Sequence, residues 1–190
     1  MCGRFYIDEE MAQEISRVIK DIDMRVNGYK EIYPTNTAAI IKMEGGNMII
    51  DNPSWGFNHF DPAKKKVLFN ARSETVLEKR MFKDSVVNRR CVIPAAGFYE
   101  WDKVKNKIAF TANNSKALYL AGFWREDRFV ILTTAANDSI ADVHGRMPLI
   151  LEPGELENWL FDPEAYKLIL QNIPGKLSRK KTDPEQLKLF

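Results

Sequence analysis

Between residues 91 and 151 the chain reads CVIPA (91–95), GFYEW (97–101), KIAFTA (107–112), ALYLAGFW (117–124), RFVILTTA (128–135) and MPLIL (147–151). Each run is short, rich in β-branched and aromatic residues, and separated from the next by turn-forming residues, which is the pattern of successive strands. One segment, DSIADV (138–143), reads instead as a helical turn. Upstream, Asp8 can cap a helix whose apolar positions Met11, Ile15, Val18, Ile19 and Ile22 follow helical spacing. AAIIKM and NMII form a hairpin over 38–50 around Glu44-Gly45-Gly46, where paired glycines supply positive φ. Ser73 stands as the cap of a second helix carrying Val76, Leu77 and Met81, and two more helices begin near Pro153 and Pro163. Strands in succession with helices at the flanks define an α+β fold with a mainly antiparallel sheet or β-barrel-like core. The expected domain spans 1–175, followed by a polar, basic tail over 176–190 that is loosely attached.

Composition bounds the function. A chain of 190 residues with 45% apolar and 28% charged side chains suits one folded domain and excludes a disordered tail. No apolar run approaches the roughly 20 residues that cross a bilayer, and MCGRFYIDEEM lacks the features of a secretory signal. Two cysteines, Cys2 and Cys91, cannot build a disulfide framework, and two histidines are too few for an obvious zinc site. The simplest expectation is a cytoplasmic, reduced protein with no metal and no cofactor. A net charge of +2 identifies no partner, but residues 64–90 hold nine basic side chains against three acidic ones. Such a stripe is either a phosphate footprint or a solvated face.

Cys2 carries the sharpest chemical possibility. An initiator Met before a small residue is usually removed, leaving a thiol and an α-amine of pKa about 8 on one residue. That amine can attack an aldehyde to give a Schiff base, and the thiol can then close a thiazolidine ring. Glu100, among the aromatics of Gly97-Phe98-Tyr99-Glu100-Trp101, suits acid/base work if burial raises its pKa. His144, in Asp142-Val143-His144-Gly145-Arg146, can move protons or stabilise an oxyanion. Asn70 offers an amide to orient a substrate, and Arg72 offers a fork for phosphate near a helix start. Trp55, Phe57 and Phe60, just before Lys64, Lys65 and Lys66, are the ingredients of a single-strand stacking platform. Each residue also has an ordinary reading: a chance cysteine, an outward carboxylate, a structural histidine, a capped surface turn, packed aromatics. His59 reads as a loop residue and Cys91 as a buried small hydrophobe.

Taken together, the motifs resemble the SRAP family, the SOS-response-associated peptidases that shield abasic sites in single-stranded DNA. The matching segments, over roughly residues 1–160, begin with Met1-Cys2-Gly3-Arg4-Phe5, Trp55-Gly56, and Asn70-Ala71-Arg72-Ser73-Glu74-Thr75. They continue with Arg80-Met81-Phe82, the stretch from Cys91 to Trp101, Thr133-Thr134-Ala135-Ala136-Asn137, and His144-Gly145-Arg146-Met147-Pro148. The resemblance implies loss of Met1 and a thiazolidine crosslink from Cys2 to the abasic sugar, with Asn70 orienting the N-terminus. It makes Glu100 the acid/base and gives His144 a part in sugar ring-opening, while Arg4, Arg72 and Arg146 hold phosphates. Trp55 and the three lysines would add to the DNA contact. The partner it implies is single-stranded DNA containing abasic sites, bound by a monomer with no membrane involved. Where the family often carries a tryptophan pair, this chain reads Gly56-Phe57-Asn58-His59-Phe60. Two other readings fit the residues: an N-terminal-nucleophile cysteine amidohydrolase, and a non-covalent single-stranded DNA-binding module. The contexts of Glu100 and His144, with the basic stripe, favour the abasic-site reading over the amidohydrolase, whereas a non-covalent reader would need the stripe and the aromatics but would leave Cys2 replaceable.

Overall fold

The computed structural model describes residues 2–19, 22–58 and 67–182. Its first half holds β1 (Phe5–Ile7), α1 (Glu9–Val18), β2 (Lys30–Ile32), β3 (Ile40–Glu44), β4 (Asn47–Asp51) and β5 (Ser54–Trp55). β6 (Phe57–Asn58), β7 (Val67–Leu68), β8 (Asn70–Arg72) and α2 (Arg80–Asn88) follow. The second half holds β9 (Arg90–Ala95), β10 (Gly97–Trp101), β11 (Lys107–Thr111), β12 (Leu118–Arg125) and β13 (Arg128–Ala135). It closes with β14 (Arg146–Pro148), β15 (Ile150–Leu151), α3 (Leu156–Phe161), α4 (Ala165–Ile169) and β16 (Ser178–Lys181).

Local chemistry explains several boundaries. The Asp8 carboxylate accepts from the Met11 backbone N–H at 2.8 Å, starting α1 and turning Met11 and Ile15 into the core. Gly45 and Gly46, at φ 58° and 84°, form the two-residue turn that pairs Glu44 with Asn47. Gly56 sits at φ 109°, and a Cβ there would come within 2.2 Å of Val67 Cγ1, so only glycine fits after Trp55.

The strands build two main sheets. One has the order β16-β11-β10-β1-β2, all antiparallel. The other runs β14-β13-β12-β9-β3-β4. β12 and β13 pair from Arg125 and Arg128 as far as Gly122 and Ile131, then part. Into the gap come β14, on β13, and β15, on β12, with Leu149 bonded to both sides. β5 and β8 lie along the other edge of β13, parallel to it. The architecture is α+β and mainly antiparallel, as expected, but among the described residues the sheets stay open and form no closed barrel.

Alternation along the central strands serves two cores. Ile93, Leu120, Phe129 and Ile131 face the first sheet, packing with Phe5, Phe98 and Phe110. Val92, Ala121, Val130 and Leu132 face the helices, packing with Met11, Trp159 and Tyr166. A sheet covered on both faces needs such doubly apolar strands. Cys2 lies in the first core, not on the surface.

Two expectations are corrected. Ser73 caps no helix: residues 73–75 form one 3-10 turn, the Ser73 hydroxyl is buried without a partner among the described residues, and α2 starts only at Arg80. The cause is non-local, because residues 70–72 are drawn into the sheet as a parallel neighbour of β13. The tail is not loose where it begins, since Ser178–Lys181 adds to β11 as an edge strand. Among the described residues no helix is long and apolar enough to cross a membrane.

Candidate active site

The site is assembled from four separate stretches of chain. β1 pairs with β10, and the Arg4 carbonyl accepts from the Tyr99 N–H at 2.9 Å, fixing the N-terminal segment beside Glu100. Asn70, at the start of β8, donates from Nδ2 to the Cys2 carbonyl oxygen at 2.7 Å. Its Oδ1 is buried with no partner among the described residues. His144 arrives on the excursion between β13 and β14. Its Nδ1 accepts from the Arg146 backbone N–H at 2.9 Å and lies 3.1 Å from the Arg146 carbonyl oxygen, so both backbone groups of Arg146 fix the ring's orientation.

The electrostatics follow from burial. The Cys2 side chain is fully buried, and its thiol donates to the Arg4 carbonyl at 3.7 Å. Burial, reinforced by the negative charge of Glu100, pushes this thiol well above its ordinary pKa. The sulfur is therefore held as neutral S–H rather than as thiolate. Glu100 is 5% exposed, and burial raises its carboxyl above the usual range while His144 draws it partly back. Glu100 is therefore sensed by both Cys2 and His144. The fold brings together the four residues singled out for chemistry.

The candidate DNA contacts fare differently. Arg4 is clasped between the Tyr33 and Trp101 rings, at 4.3 and 4.8 Å, and pairs with Glu31 at 3.2 Å. Arg146 grips the Glu74 carboxylate through both terminal nitrogens, at 2.5 and 2.9 Å, and donates to the Thr133 carbonyl. That grip holds Glu74 below the usual carboxylate range. Arg72 is exposed at the end of β8. Trp55 is wholly buried, donates to the Phe69 carbonyl and packs on Phe5, so it offers no face to a base. Phe57 is core as well. Lys64, Lys65 and Lys66, with His59 and Phe60, lie outside the described residues. The basic stripe is not one surface either: Arg90 is buried, holding carbonyls of Val86, Trp159 and Asp162.

Sequence reading missed Glu31 and Glu74, the carboxylates that engage Arg4 and Arg146. Contacts across 27 and 72 positions leave no local signal, and charge counts alone cannot pair them.

Open, mainly antiparallel sheets thus bring a cysteine, an asparagine, a glutamate and a histidine together near the chain's start. The chain matches the SOS response associated peptidase (SRAP) family over residues 1–183 and belongs to it. It is 29% identical over 194 residues to the abasic site processing protein YoqW of Bacillus subtilis (strain 168), covering 90% of this chain and 87% of that one. It is 30% identical over 192 residues to the abasic site processing protein YoaM of the same strain, covering 91% and 85%. Among solved structures, a protein from Bordetella bronchiseptica matches with a TM-score of 0.79 at 23% identity, over 96% of this chain and all of that one. That last likeness establishes the shared fold.

Proposed function

We propose that this protein captures abasic sites in single-stranded DNA by joining Cys2 to the sugar aldehyde, shielding the lesion as a thiazolidine. The observation that carries the reading is the convergence on Cys2, with Asn70 bonded to its carbonyl and Glu100 beside its thiol. Relatives named as abasic site processing proteins support the same substrate.

The chemistry balances as follows. Hydrolysis of the Met1–Cys2 peptide consumes one water and frees the Cys2 amine. His144 assists opening of the sugar ring, exposing the aldehyde at C1′. The amine attacks that carbon, and the resulting carbinolamine loses water to give an imine. The Cys2 sulfur then adds to the imine carbon while the thiol proton is passed, through Glu100, to the nitrogen. One carbon–sulfur bond closes the five-membered ring, and the adduct is the sum of protein and DNA less one water. Because the thiol rests neutral, the amine must act first. Asn70 holds the Cys2 carbonyl so that the nitrogen is aimed at its target.

Mixing the processed protein with an oligonucleotide treated by uracil-DNA glycosylase tests this directly. A band shifted on a denaturing gel, with the intact mass of the adduct one water short, is the expected result. No shifted band with any single-stranded abasic oligonucleotide overturns the reading.

The grip on DNA is proposed to involve Arg4, Arg72 and Arg146 at phosphates, with Lys64, Lys65 and Lys66 adding to it. Changing all three lysines to glutamate is expected to lower the slope of log affinity against log salt by up to about 2, since each single-strand phosphate contact contributes about 0.7. Fluorescence anisotropy across a salt series measures it, and an unchanged slope removes the lysines from the interface.

A further inference from the structure

The TTAAN stretch, Thr133 to Asn137, has no part in the chemistry above, yet its last residue is engaged on every side. Asn137 donates from Nδ2 to the carbonyls of Pro174 and Gly175, at 2.8 Å each. Its Oδ1 accepts from the Ser139 backbone N–H at 2.9 Å and from the Ser139 hydroxyl at 2.5 Å. An amide has two N–H donors and two carbonyl lone pairs, so all of its capacity is used. The same residue opens the turn that leads to His144, its backbone carbonyl accepting from Ile140 and Ala141.

That turn is the base on which His144 rides. The His144 N–H donates to the Ile140 carbonyl at 2.9 Å, and Ile140 is fully buried in the core that also holds Cys2. The neck of the excursion is closed where Ala136 donates to Gly145 at 3.2 Å. Its outer side is held by the C-terminal segment at three successive points. Asn137 takes Pro174 and Gly175, the Ser139 hydroxyl accepts from Leu177 N–H at 3.1 Å, and Asp142 accepts from Arg179 at 2.7 and 2.8 Å. Arg179 belongs to β16, which is itself fixed to β11 beside β10, the strand of Glu100. The segment after residue 173 thus connects the His144 excursion back to the sheet that carries the other half of the site.

We propose that Asn137 is a positioning residue for His144, acting through the carbonyls of Pro174 and Gly175, and that residues 174–179 are a working part of the site. The effect on rate rests on the role given to His144 above; the effect on the position of His144 does not. Asn137→Asp is the sharpest probe. It preserves size and the acceptor for Ser139, but sets a carboxylate oxygen against two carbonyl oxygens.

The test compares the parent with Asn137→Asp and with Ser139→Ala, which removes the acceptor for Leu177. His144 ring resonances are followed by two-dimensional NMR, with the Trp159 indole, bonded to Cys91 in the interior, as the control for intact folding. Adduct formation and DNA binding are timed in parallel. Asn137→Asp is expected to move the His144 signals, leave Trp159 in place, and slow adduct formation by about 10²-fold, the loss that a misplacement near 1 Å produces. DNA affinity stays within a few-fold. Should Asn137→Asp fail to fold, Ser139→Ala gives the same pattern at smaller amplitude. His144 signals that superimpose on the parent's in the folded variants overturn the proposal, and so does a displaced His144 with an unchanged rate. Displaced signals alongside a parent that forms no adduct uphold the positioning and defeat the crosslinking reading instead.

Discussion

Replacing Cys2 with alanine is expected to abolish the stable adduct while leaving an imine that borohydride can trap. The two nucleophiles of Cys2 do different work. An α-amine of pKa about 8 is partly unprotonated near neutrality and attacks the aldehyde whatever side chain it carries. An imine, however, hydrolyses back or promotes strand cleavage by β-elimination. Only the sulfur converts it into a ring, and the thiol sits in the same residue at the required spacing. Cys2→Ala should therefore show no band on a denaturing gel without borohydride, a band with it, and more nicked DNA than the parent. A tag fused ahead of Cys2 should remove both species, because its amine becomes an amide. A stable adduct surviving in Cys2→Ala would transfer the covalent step to a lysine.

Glu100→Gln is expected to slow adduct formation by about 10²–10⁴-fold, the usual contribution of a positioned proton carrier. The substitution keeps the shape of the side chain but takes away the proton exchange. The pH profile carries the more specific signature. Burial holds the Glu100 carboxyl above its ordinary value of about 4.3, and the group must be ionised to receive the thiol proton. The parent rate should thus climb with pH in two steps. The lower one belongs to Glu100 and lies above the normal carboxylate range. The upper one, near 8, belongs to the amine. In Glu100→Gln the lower step should vanish and the upper one remain. A rate within a few-fold of the parent, with both steps intact, would show that another group moves the proton.

How far the sequence foretold this molecule depends on how local each feature is. The Asp8 cap, the Gly45-Gly46 turn and the strands from residue 91 to 135 are set by neighbours in the chain and stand where the patterns placed them, whereas 147–151, expected as one strand, divides into β14 on β13 and β15 on β12. Ser73 shows the limit. Ser-Glu-Thr is good cap chemistry, but a strand 61 residues further along claimed Asn70 to Arg72 first. The basic run at 178–181 has no apolar alternation, so nothing in its composition marks it as a strand; it forms because β11 presents an open edge. Trp55 is open to two readings in the sequence, a stacking platform or a packed aromatic, and its indole completes an aromatic cluster with Phe5, Phe69 and Phe129. As for the site, residue chemistry nominated Cys2, Asn70, Glu100 and His144, while their grouping was legible only through the family resemblance. Spacing carries no hint that an amide at position 70 bonds to a carbonyl at position 2.

On the proposed reading, the burial of Cys2 also bears on how long the protein survives in the conditions that create abasic sites. Oxidants and soft metals react with sulfur through the thiolate, and with exposed thiolates fastest. A sulfur buried in the core that also holds Phe5 and Phe98, and kept protonated, presents neither the charge nor the access they require. Peroxide that damages DNA therefore finds the protein's own reactive atom in its least vulnerable form. On the proposed reading the order of events follows from the same arrangement: the sulfur acts only once an aldehyde carbon has been fastened to the nitrogen next to it.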